Sequence, residues 1–210
     1  MLDAAEALFA AGGAEAVTVE AVVAAAGTSV GSFYARFTDR AGLLAAMHGR
    51  FLERMQAETG TAVAAAIGQP SLALALKAFV QQALSAARRH RESILFFVAT
   101  SATDTPLRQQ GLAANPGFAG AFAAAVMQFR QEITHPRPEL AVDVAFRIFF
   151  AVFVQRALFT PKEATGRAVS DAVLAEEISR CLASYLVAPS TVDDPSLSDQ
   201  PRPRGRPGGK

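Results

Sequence analysis

Residues 17–44 constrain this chain more than any other stretch, because their breaks leave room for two short helices and one tight turn. Thr18 is placed to cap the first helix, its hydroxyl accepting from an unpaired amide of the opening turn. Val19, Val22 and Val23 then fall on one side of it. Gly27 ends that helix, since glycine takes the left-handed conformation at little cost. Thr28 and Ser29 bridge to a second short helix carrying Gly31, Ser32, Phe33, Tyr34 and Arg36. Thr38-Asp39 caps a long helix in which Leu44, Met47, Phe51 and Met55 recur at helical spacing. Ahead of them, Leu2 to Ala11 reads as a helix with Leu2, Ala5, Leu8 and Phe9 on one face, closed by Gly12-Gly13.

Two short helices joined by a glycine-containing turn make the helix-turn-helix used in DNA binding. The second would enter a major groove. Leu8-Phe9, Thr18-Val19, Ala26-Gly27, Gly31-Ser32-Phe33-Tyr34, Phe37 and Leu43-Leu44, in this order and spacing, resemble the TetR family of bacterial transcriptional regulators. The resemblance covers about the first quarter of the chain. It implies an all-α fold with a three-helix DNA-binding domain at residues 1–46 and a larger helical ligand-binding and dimerisation domain at 47–188. It also implies a homodimer that binds double-stranded DNA and a small-molecule ligand, with the ligand releasing a repressor from a palindromic operator. Two-fold symmetry would set half-sites roughly 34–36 Å apart, or a multiple of that.

By the same resemblance Ser29, Val30, Gly31, Ser32, Tyr34 and Ala35 face the groove, and Arg36 and Arg40 flank it for the DNA backbone. Thr18 is placed to offer its hydroxyl to a phosphate, as helix N-termini do. Tyr34 has two readings, a phosphate contact through its hydroxyl or an anchor for its own helix. Phe33 and Phe37 read as core. Few of these side chains can make the bidentate base contacts that discriminate strongly, so spacing and DNA shape carry much of any specificity. The charge balance is unhelpful: Arg36, Arg40 and Arg50 stand against Asp3, Glu6, Glu15, Glu20 and Asp39. Family members usually carry basic residues ahead of the first helix, which this sequence lacks.

Beyond this domain the chain is apolar and alanine-rich, 51% hydrophobic overall. Alanine is the best helix former, and alternating β-branched runs are missing. Gly68-Gln69-Pro70-Ser71 is a break, followed by a helix over Leu72 to His90. Glu92 to Ser101 reads as a short helix, Ala102 to Pro116 as a loop, and Gly117 to Thr134 as a helix ended by His135-Pro136-Arg137-Pro138. Glu139 to Phe159 and Ala164 to Val187 are the last two. In the resembled family these two helices form the dimer interface, here with Ile148, Val152, Leu174, Ile178, Leu182 and Tyr185. Phenylalanines crowd the C-terminal region. Phe96, Phe97, Phe118, Phe122 and Phe149 are candidates to line a cavity for an apolar or aromatic ligand, although some such rings must be plain core. Arg147, Gln155 and Arg156 lie on an otherwise apolar helix and read as surface pairing.

From Pro189 the composition turns to Asp, Pro, Ser, Gly and Arg, a disordered tail by composition. Its Arg204-Gly205-Arg206-Pro207 resembles an AT-hook, in which arginines follow the floor of a narrow A·T-rich minor groove. A solvated, incidentally charged tail is an equal reading. Residues 189–200 could span at most ~40 Å.

Enzymatic chemistry finds little support. His48, His90 and His135 have no metal-ligand spacing. Phosphate-loop, nucleophile-elbow and dinucleotide patterns are missing, and no cofactor is implied. Cys181 reads as a small buried hydrophobe, and with one cysteine the chain forms no internal disulfide. No signal peptide or membrane span is read, so a cytoplasmic protein is expected.

Overall fold

In a computed structural model, residues 1–188 are described. The proposed tail, with Arg204, Gly205 and Arg206, lies outside them. Nine helices and no strand occur among the described residues: α1 Leu2–Gly12, α2 Val19–Ala25, α3 Val30–Arg36, α4 Arg40–Ala66, α5 Leu72–Arg89, α6 Arg91–Ser101, α7 Thr105–Met127, α8 Pro138–Leu158 and α9 Asp171–Val187.

The caps explain most boundaries. Thr18, Ser29, Asp39, Ser71, Asp104 and Ser170 each accept a backbone amide in the first turn of the helix that follows. Gly27 has φ +60°, the left-handed turn required between α2 and α3.

α1, α2 and α3 are each too short to persist alone. They are held by a shared core of Ala5, Val17, Val22, Phe33, Phe37, Leu43 and Leu44. Phe33 is fully buried and meets the Phe37 ring at 5.4 Å. Burying such a side chain contributes about 2–3 kcal/mol. α4 runs out of this core. Its 27 residues place Met47, Phe51 and Met55 in the first core, together with Ile94, Phe97 and Ala157. Further along, Ala62 and Ala66 enter a second core with Phe79, Phe122, Val142, Phe149 and Leu182. One helix therefore belongs to both cores.

Three sequence expectations fail here. Residues 102–116 are helical from Thr105, because Asp104 caps α7, Pro106 suits its first turn, and Leu107 is buried. Pro116 sits inside that helix, where its missing N–H leaves one ladder bond unmade. α7 also stops at Met127 rather than reaching Thr134. At the other end, α9 begins at Asp171, not Ala164: Gly166 adopts φ +77° and Ser170 supplies the cap.

Candidate nucleic-acid interface and ligand cavity

Ser29, Val30, Gly31, Ser32, Tyr34, Ala35 and Arg36 are all exposed on or beside α3, and Thr18 is exposed at the start of α2. Ser29 Oγ accepts from the Ser32 amide at 3.1 Å and lies 2.9 Å from Ser32 Oγ. Thr18 Oγ1 accepts from the Ala21 amide at 3.1 Å. The Thr18 hydroxyl retains its hydrogen to donate outward, and the Ser29–Ser32 hydroxyl pair retains one of its two. Tyr34 is 55% exposed, and its ring stands edge-on to Phe33 at 5.4 Å. The Arg36 guanidinium lies 5.7 Å from the Phe37 ring centroid, which orients it without neutralising it.

Arg40 differs from the sequence expectation. Its Nε donates to Val17 O at 2.8 Å and its terminal nitrogen to Ala14 O at 2.9 Å. The guanidinium ties the start of α4 to the turn before α2, with two of its five N–H donors spent inside the protein. Arg50 is likewise engaged, donating to Asp3 at 2.6 Å, and Arg54 pairs with Glu6. The Arg50 guanidinium holds the Asp3 carboxyl below its usual range. These pairs fasten α1 to α4. They consume the cations that could have offset the acidic balance of the domain.

The second candidate site is a cavity of about 300 Å³ bounded by α4, α5, α6, α7 and α8. Its wall is aromatic: Phe51, Phe79, Phe97, Phe118, Phe146, Phe149, Phe150 and Phe153. It meets solvent along α6 and α7, where Val98 and Leu112 line it and are 41% and 59% exposed. Among the proposed lining residues, Phe97, Phe118 and Phe149 are at the cavity. Phe96 and Phe122 are not. Phe96 packs on Phe9 at 5.1 Å, tying α6 to α1. Phe122 is fully buried between Phe79 and Phe149, at 5.2 and 5.8 Å. Helical spacing cannot tell which side of a buried helix meets a void.

His48 was missed altogether as a cavity residue. It is 3% exposed, lines the cavity, and places Nδ1 at 2.8 Å from Gln110 Oε1 on α7. Burial pushes its imidazole below the ordinary value, against the Gln110 hydrogen bond and the Asp104 carboxylate. The available signal was a histidine within the apolar period of Leu44, Met47, Phe51 and Met55.

The remaining polar candidates are spent on pairing. Glu58 on α4 accepts from Arg89 at 2.6 Å and contacts His90 at 2.9 Å, engaging two of the four basic residues in the run Arg88-Arg89-His90-Arg91. Arg156 pairs with Asp171 at 2.6 Å and Arg147 with Asp143 at 2.8 Å. Of the expected dimer residues, Leu182 is fully buried in its own protomer's core. Ile148 is exposed, while Val152, Leu174, Ile178 and Tyr185 are half-buried along α8 and α9. Cys181 is exposed beside them rather than buried. Among the described residues no group of three or more His, Cys, Asp or Glu could hold a metal, and no helix is long and apolar enough to cross a membrane.

Comparison with known proteins bears on the N-terminal helices and on the fold. Residues 1–47 match the family model "Bacterial regulatory proteins, tetR family". The chain's fold is similar to that of a Mesorhizobium loti protein described as a TetR-family transcriptional regulator. That likeness has TM-score 0.69 at 16% identity, covering 88% of this chain and 92% of that one. It is also similar to the fatty acid degradation regulator FadR of Bacillus halodurans, with TM-score 0.57 at 15% identity, covering 87% and 95%. A third likeness is to the transcriptional regulator FadR of Bacillus subtilis in complex with stearoyl-CoA, with TM-score 0.55 at 14% identity, covering 88% and 96%. No curated protein matches at a significant level.

Proposed function

We propose, for a chain whose first 47 residues belong to the tetR family of bacterial regulatory proteins, that it is a homodimeric repressor released from DNA by an apolar ligand. One observation carries the reading: α4 supplies core residues to the DNA-binding domain at one end and walls the aromatic cavity along its middle. A ligand that changes how α4 packs against α6, α7 and α8 also changes where α3 stands.

Thr18, Ser29, Ser32 and Tyr34 would meet phosphates or base edges, and Val30 and Ala35 could touch a thymine methyl. Gly31 would let the backbone approach closely, and Arg36 would supply the charge. Arg40 would act indirectly, by holding the turn before α2. The half-covered apolar stripe of Ile148, Val152, Ile178 and Tyr185 suits a second copy packed through α8 and α9. The ligand shifts the equilibrium only by its differential affinity for the two states. A FadR neighbour described in complex with stearoyl-CoA, a molecule with a long apolar acyl chain, supports a ligand with an apolar part.

Selection from a random DNA pool, followed by band-shift with the full chain and a panel of apolar compounds, tests this. A palindromic site bound by a dimer and released by one compound class is expected. Failure of every selected sequence to bind at low salt would refute it. The poverty of free cations around α3 favours a second reading, a dimeric ligand-binding protein with weak DNA affinity. That outcome would leave ligand binding intact.

A further inference from the structure

The aromatic cavity has one deeply buried polar feature, and its hydrogen-bonding sense can be worked out. His48 is 3% exposed. Its ring lies tilted 4.6 Å from the Phe97 ring and stacked 6.3 Å from the Phe51 ring. α7 closes against its edge at Gly111, where an added Cβ would lie 3.8 Å from Cε1. Gln110 Oε1 sits 2.8 Å from Nδ1. An amide oxygen can only accept, so Nδ1 carries the hydrogen, and a neutral ring then leaves a bare lone pair on Nε2.

Nε2 has no protein partner among the described residues. Nor, among them, is any side-chain nitrogen or oxygen both sealed from solvent and unpartnered. Nε2 therefore reaches the open space of the cavity that His48 lines. Glu58, Thr59, Ser101, Arg108 and Asn115 also line the cavity. Glu58 is held by Arg89 and His90, however, and Thr59 donates to Met55 O. Of the polar lining groups only His48 is buried, and its unpartnered acceptor favours a ligand with a donor.

We propose that the cavity takes an apolar molecule ending in a hydroxyl, an alcohol or a phenol, and that His48 Nε2 accepts its hydrogen. The inference rests on the ligand-binding reading above and narrows it to a chemical class. A carboxylate would turn an acceptor towards another acceptor, and would need a proton on a ring held in an apolar cleft. Arg108 is the competing feature: it lines the cavity, is exposed, and has no ion-pair partner among the described residues. It stands one helical turn from Gly111, so an anionic ligand would be drawn to it instead.

Calorimetric titration of the full chain with para-heptylphenol, its methyl ether and para-heptylbenzoate separates these cases. The phenol should bind roughly tenfold tighter than the ether, the worth of one hydrogen bond. His48→Phe should bring the two to equal affinity. Equal affinities in the wild-type chain, tightest binding by the benzoate, or no binding by any of them would overturn the assignment. These titrations contain no DNA, so their failure is separable from failure of the regulator reading, which the band-shift decides.

Discussion

Arg40 and Arg36 look interchangeable in the sequence, and they should behave oppositely when changed. The Arg40 guanidinium is held by Val17 O at 2.8 Å and Ala14 O at 2.9 Å. Arg40→Ala removes two hydrogen bonds from a charged donor and frees the turn that leads into α2. The contact with Val17 is part-buried and that with Ala14 exposed. With solvent screening the loss should be about 1–2 kcal/mol of stability in the N-terminal helices. The phosphate count would not change. Operator affinity should fall uniformly with salt, leaving the slope of log K against log salt where it was. Arg36 is exposed and faces no carboxylate within ion-pair distance among the described residues. Arg36→Ala should remove one phosphate contact per protomer, two per dimer. The slope should then flatten by about 1.8, with thermal stability unchanged. Fluorescence anisotropy with selected DNA between about 50 and 200 mM salt reads both variants. A flattened slope for Arg40→Ala, or an unchanged one for Arg36→Ala, would refute the division of roles.

Tyr34→Phe keeps the ring against Phe33 and deletes only the exposed hydroxyl, so operator affinity should drop by roughly 1 kcal/mol in anisotropy while the melting temperature holds. Gly27→Ala forces a side chain onto φ +60° and should cost about 1–2 kcal/mol in calorimetric unfolding. The Arg89 guanidinium, and secondarily His90, hold the Glu58 carboxyl below its ordinary value of 4.5. A depressed carboxylate stabilises the fold above its unfolded value and loses that contribution as pH falls through the folded one. The wild-type chain should therefore lose stability to acid below about pH 4.5 more steeply than Glu58→Gln, as followed by denaturant unfolding at stepped pH.

The N-terminal helices were legible because their signals are local. Thr18, Gly27, Ser29 and Asp39 act within a turn of where they stand, and Val19, Val22 and Val23 fall at helical spacing. α7 was obscured for the opposite reason. Pro116, Gly111 and Asn115 are breakers by local propensity, yet packing of Leu107, Phe122 and Val126 overrides them. The same limit governs the cavity. Phe96, Phe97 and Phe122 differ in role through what lies across from them, and that depends on α1, α4 and α8. The internal ties of Arg40 were illegible because its partners, Val17 O and Ala14 O, are backbone atoms that no residue type advertises. His48 reads as an isolated histidine until α7 brings Gln110 beside it.

The central claim is that cavity and DNA face are coupled through α4. It is tested most directly by measuring one ligand and one operator against each other in both orders. The compound that binds the cavity should weaken operator affinity by some factor, and saturating operator should weaken the compound's affinity by the same factor, as linkage requires. Two affinities each indifferent to the other's partner would contradict the account.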